Sequence, residues 1–164
     1  MTILQVCEWL ENTQVGLLVR ESLWGFPILV AIHILGLTVS AGVVVWFDLR
    51  LLGFSLQRCP VSQVTRRLLP LAASGFVVMF ISGALLFTGF ATKAYGNAYF
   101  RVKAAALILA GVNALLYHLM TERQVAQWDE VAWPPVPARL AGLLSILIWT
   151  TVAIAGRMMS YTMF

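Results

Sequence analysis

Charge is what this chain has least of: 11% of its 164 residues are Asp, Glu, Lys or Arg, against roughly 25% in an ordinary soluble domain. That deficit, with a hydrophobic content of 60%, excludes a soluble globular protein and implies an integral membrane one. Cysteine is nearly absent too. Cys7 and Cys59 stand alone with no CxxC or CxxCH, which argues against covalent c-type haem attachment and Cys-rich metal sites. One span separates the two thiols onto opposite sides, so they are not expected to pair. Nor is there a GxSxG, Walker-type or HExxH motif, which leaves hydrolytic and nucleotide chemistry without support. No span carries paired acids, which weakens a proton-driven transporter. The net charge of +4 comes from single basic residues at the ends of apolar runs. These read as topology anchors rather than a phosphate-tracking stripe, so no nucleic-acid partner is expected. No basic n-region or small-residue cleavage site opens the chain, so no removable signal peptide is expected.

What is present is a set of long apolar runs. From Leu23 to Phe47 there is no charged residue and the one ionisable side chain is His33; about 20 such residues cross a bilayer core. The run is expected to return to water at Asp48-Leu49-Arg50. Further spans are expected over about 68–91, 100–120 and 139–161. Residues 2–20, with Ile3, Leu4, Cys7 and Leu10 at helical spacing, suit an amphipathic helix in the interface, anchored by Trp9 and Trp24. Ser22 can cap the first span. Pro70 reads as a helix start, Arg101 and Lys103 as snorkelling first-turn cations, and residues 121–138, with their proline run, as an extended strap. The expectation is an all-α, single-domain, up-down-up-down four-helix membrane bundle with cofactor sites between facing helices. Arginines after the first span place the termini in the periplasm by the positive-inside rule, against the pull of Lys93, Arg101 and Lys103.

The chain's two histidines both lie in expected spans. Imidazole is a common axial ligand of haem iron, and an intramembrane histidine is rarely without protein, cavity or cofactor against it. His33 and His118 are therefore candidate ligands of haem b or, alternatively, of copper. Spans one and three run parallel, which puts His33 ~15 Å and His118 ~27 Å from the same side. That mismatch favours two sites at different depths over one haem bridged by both. Second ligands could come from Met79, Met158, Met159 or a neighbouring subunit. Arg157 is a candidate propionate partner, because guanidinium pairs well with carboxylate. Mid-span Trp149 and Asn113 are further candidates beside a cofactor, with core packing and an interhelical hydrogen bond as their plainer roles.

Taken together, Ala31-Ile32-His33-Ile34-Leu35-Gly36, Asp48-Leu49-Arg50-Leu51-Leu52-Gly53, Asn97 with Phe100 and Lys103, Asn113-Ala114-Leu115-Leu116-Tyr117-His118 and Gly156-Arg157 resemble an uncharacterised family of bacterial four-span inner-membrane proteins. The resemblance covers nearly the whole chain and implies the fold and the location, with no activity attached. A looser similarity to cytochrome b-type bundles and CopD-like copper-resistance membrane proteins points to haem or copper by analogy. Three readings follow: a b-type haem protein in electron transfer, acting as a homo-oligomer or within a larger complex with a redox partner; a cofactor-free membrane subunit; and a copper-handling protein in which the histidines and Met158-Met159 pass Cu(I). An electron-transfer protein or complex subunit is favoured over a self-contained enzyme.

Overall fold

A computed structural model describes residues 2–131 and 133–163, with the side chains of residues 121–123 left aside. The protein is an all-α membrane bundle. In chain order the helices are α1 (Ile3–Glu11), α2 (Gln14–Glu21), α3 (Gly25–Leu51), α4 (Val61–Gly89), α5 (Ala91–Gly96), α6 (Ala98–Leu116) and α7 (Val136–Met163). A π-helical turn (Tyr117–Thr121) and a 3-10 turn (Glu122–Gln127) follow α6. Four segments are long and apolar enough to cross a membrane: Gly25–Leu51, Val61–Gly89, Ala98–Met120 and Val136–Met163. Outward-facing Ile81, Ile108, Leu109 and Leu147 are exposed, as lipid-facing side chains must be, since lipid tails and aliphatic side chains are equally apolar.

α3 and α4 form the tightest pair, because small residues let two backbones meet. A Cβ on Gly75 would lie 2.7 Å from the Ser40 nitrogen, and one on Gly36 would lie 2.9 Å from the Met79 nitrogen. α6 packs on α7, and α3 also lies against α7, so the two pairs close into one bundle.

The amphipathic start is two helices rather than one. Thr2 caps α1 in a capping box with Gln5, and Thr13 restarts the chain by accepting the Gly16 N–H. Ser22 accepts the Gly25 N–H at 3.0 Å, as the sequence suggested. The segment is not simply laid on lipid. Glu11 Oε1 accepts the Thr92 N–H at 2.8 Å and the Thr92 hydroxyl at 2.7 Å, which turns the expected polar turn near Thr92 into the short helix α5.

The largest departure from the sequence reading is at the end of the first span. Asp48 and Arg50 do not return to water: they are 3% and 0% exposed, and α3 continues past them. Arg50 is held by backbone instead, with Nε donating to the Cys59 carbonyl at 3.1 Å and Nη2 to that of Val131 at 3.3 Å, while its buried Nη1 has no hydrogen-bond partner among the described residues. Asp48 takes a hydrogen bond from Ser145 on α7, at the crossing where Gly142 has no side chain to obstruct it. The helix then stops at Gly53, whose φ of 82° is a left-handed conformation that favours glycine.

α4 likewise starts earlier than expected, and Pro70 lies inside it rather than at its start. The reason is a cap supplied from far along the chain. Asp129 Oδ1 accepts the Ser62 N–H at 2.7 Å, Oδ2 accepts the Ser62 hydroxyl at 2.6 Å, and the Asp129 carbonyl accepts the Val61 N–H at 3.1 Å. The connection after α6 is therefore packed in, not draped as an extended strap. Trp128 and Val125 are buried with Leu51, Val61 and Ala138.

Burial opposes ionisation of Asp129, but its hydrogen bonds from Ser62 and Val61 and the charge of Arg50 outweigh that and hold its pKa below the ordinary value. A carboxylate with a depressed folded pKa adds stability above its unfolded pKa and loses it as pH falls through the folded value. Asp129→Ala is accordingly expected to cost about 1–2 kcal/mol at neutral pH. Detergent-solubilised thermal unfolding should show this difference shrinking below about pH 4. An unchanged gap across that range would mean that the cap does not act through its charge.

Candidate ligand cavity

At the end of the bundle where α3 and α6 begin and α4 and α7 finish lies a cavity of about 470 Å³. Its walls are apolar, with Phe26, Val30 and Leu37 from α3, Leu86 and Phe87 from α4, Phe100 from α6 and Val152 from α7. Three basic side chains join them, His33, Lys103 and Arg157, and no carboxylate lines the space among the described residues. Phe87 and Phe100 stack at 5.4 Å between α4 and α6, which ties the two helices together beside the cavity.

His33 is placed by α4. Its Nδ1 lies 3.0 Å from the Met79 carbonyl and 3.0 Å from the Ser82 Oγ. A carbonyl can only accept, so Nδ1 carries the proton, and in the neutral ring Nε2 keeps its lone pair. The Ser82 hydroxyl is itself directed to the Val78 carbonyl at 2.6 Å, leaving its oxygen to accept from the ring. Gly83 makes room, since a Cβ there would meet His33 Cε1 at 3.0 Å. A small residue on α4 thus serves the histidine on α3, while Gly36 and Gly75 bring the two backbones close enough for the bond.

The other sequence candidates divide clearly. Arg157 shares the cavity with His33, and its Nη2 donates to the Tyr161 hydroxyl at 2.8 Å with the guanidinium 4.7 Å over that ring. Trp149 does not line the cavity. It is 7% exposed and packs on Phe76, ring centroids 5.3 Å apart, in a cluster that includes the cavity residue Val152. Asn113 donates to the Ala141 carbonyl at 3.0 Å, an interhelical bond between α6 and α7. His118 lies in the π turn beyond α6 and is exposed, ~22 Å along the helix axis from the level of Lys103. The two histidines are therefore not brought together. Of the candidate methionines, Met159 lines the cavity, whereas Met79 is buried at the α3–α4 contact and Met158 faces outward. No three His, Cys, Asp or Glu side chains are grouped as a metal site among the described residues.

A model for a family of unknown function, DUF6644, matches residues 7–162. The chain belongs to that family. Membership agrees with the resemblance to an uncharacterised four-span family and supplies no activity. No curated protein and no solved structure matches the chain, so nothing supports the looser similarity to cytochrome b-type or CopD-like bundles. The chemistry of this DUF6644 member must be argued from the cavity.

Lys103 is the cavity residue that the sequence reading misplaced. It was expected to snorkel, yet it turns inward, with Nζ 3.7 Å from where a Gly156 Cβ would stand. The signal was available in the helical spacing. Lys103 precedes Ala106, Leu107 and Ala110, which face the core at Trp149, and steps of three and four put them on one face.

Proposed function

We propose that the protein is a b-type haem-binding membrane protein that passes electrons, with His33 as iron ligand. The observation that carries this reading is the His33 ring itself: Nδ1 is tied to the Met79 carbonyl, so Nε2 keeps the lone pair, beside an apolar cavity whose charged residues are cations. Histidines that bind metal commonly donate their second nitrogen to a carbonyl in this way, which fixes the ring and raises its basicity. The residues present suit the group. They offer one donor nitrogen, aromatic and aliphatic walls for a macrocycle, Met159 as a candidate second ligand, and Lys103 and Arg157 for propionates. Bound haem supplies a one-electron carrier; the chain's own residues hold it, exclude water from it and neutralise its acid groups.

The same reading puts the protein in a bacterial inner membrane as a homo-oligomer or a subunit of a larger complex with a redox partner. Exposed Arg58 between the first two spans, with exposed Arg66 and Arg67 in the first turns of α4, supports periplasmic termini, and exposed Lys93 on the other side opposes them. The test is a dithionite-reduced minus oxidised absorption spectrum of the protein purified from haem-replete cells. A Soret band and a b-type α band are expected; a colourless preparation would sink the reading. Copper content of that preparation decides the competing use of His33 and Met159, which share one cavity and are both acceptable Cu(I) ligands.

A further inference from the structure

Lys103 carries a charge that no acid answers among the described residues. It stands in the first turns of α6, within a membrane span, and its ammonium lies by Gly156 in the cavity wall. The two ion pairs among the described residues both belong to Arg20, and no carboxylate lines the cavity to partner Lys103. His33 shares the cavity and as a neutral donor nitrogen does not compensate the charge. Arg157, the other full cation of the cavity, is exposed and already engaged with the Tyr161 hydroxyl and ring, which makes it the weaker of the two carboxylate partners. An ionisable side chain inside a membrane span pairs with protein, backbone or ligand, because leaving it unpaired in low dielectric is costly. Among the described residues no acid lines the cavity, and most of its wall is apolar.

We infer that Lys103 is the anion anchor of the cavity, set to take the carboxylate of an amphiphile whose apolar body lies along Phe26, Leu86, Phe100 and Val152. The inference rests on the cavity being a ligand site, as proposed above, but not on the ligand being haem. A haem propionate and a free fatty acid present the same carboxylate at the end of an apolar body, and Lys103 would answer either. This gives the site a selectivity rule: acid over ester or alcohol of the same shape.

The full-length protein in detergent tests it, with haemin and haemin dimethyl ester as probes. The ester keeps the iron and the macrocycle and loses both carboxylates. Haemin is expected to bind about tenfold or more tightly than the ester, which is the scale of a charge-assisted contact in a site shielded from water. Lys103→Met should erase that preference, and Lys103→Arg should restore most of it. Equal binding of haemin and ester by the unaltered protein overturns the anchor while leaving His33 ligation intact, and that result needs no variant to fold. If neither haemin nor ester binds, the haem reading fails by itself, and oleate against oleyl alcohol becomes the deciding pair. Preference for oleate that is lost in Lys103→Met sustains the anchor, and absence of any preference removes it.

Discussion

His33→Ala is expected to yield a colourless protein from haem-replete cells, while His118→Ala keeps its full Soret band. The asymmetry follows from placement. His33 lines the cavity and is oriented by the Met79 carbonyl and Ser82; His118 sits exposed in the π turn at the far end of the third span. Ser82→Ala should be milder, because Met79 still fixes the tautomer, with a several-fold loss of retained haem at most. Losses of 10–100-fold mark the upper range for partners that hold a ligand. The measurement is the haem-to-protein ratio from the pyridine haemochrome spectrum of each variant. Equal loss of haem in His33→Ala and His118→Ala would return the problem to two sites at two depths, which the cavity does not provide.

Gly75→Val is expected to lower the thermal midpoint of the detergent-solubilised protein by roughly 5–10 °C, or to prevent its accumulation. The first atom of the new side chain would already lie 2.7 Å from the Ser40 nitrogen and 3.0 Å from the Gly36 carbonyl oxygen. Both are backbone atoms of a long helix, so neither can step aside without separating α3 from α4. In lipid such close approach is itself the source of helix association, through dispersion contacts that fall off steeply with distance. Separation would also lengthen the bond between His33 and Met79, so haem retention should fall with stability. Gly111→Ala makes the control, since nothing lies within 4 Å of a Cβ there. It should be neutral or slightly stabilising, because alanine favours a helix over glycine. A Gly75→Val protein as stable as Gly111→Ala would show that the helices can part without cost.

The four spans were legible from hydrophobic runs because lipid imposes a length and a polarity that few other constraints rival. His33 was legible for a related reason: a lone imidazole among more than twenty uncharged residues has few plain explanations. What sequence could not provide were the partners of the charges. Asp48 and Arg50 read as an exit to water, yet the groups that hold two of the Arg50 nitrogens are carbonyls at Cys59 and Val131, one of them beyond the third span. Asp129 read as part of a surface strap because its role as cap depends on α4 starting at Val61. In each case the local signal of a charge beside an apolar run was correct about cost and silent about compensation, which came from distant segments of chain.

Glu11 gives the amphipathic start a mechanical meaning. Its carboxylate grips Thr92 by two hydrogen bonds, and two residues further along α5 stands Ala94, which is cavity wall. α1 meanwhile leaves Ile3, Leu4 and Trp9 exposed, apolar side chains of the kind that suit headgroup depth. A sideways push on α1 would therefore be delivered by a short strut to the rim of the cavity. The space beside His33 would thus answer to whatever packs against α1 as well as to the four spans.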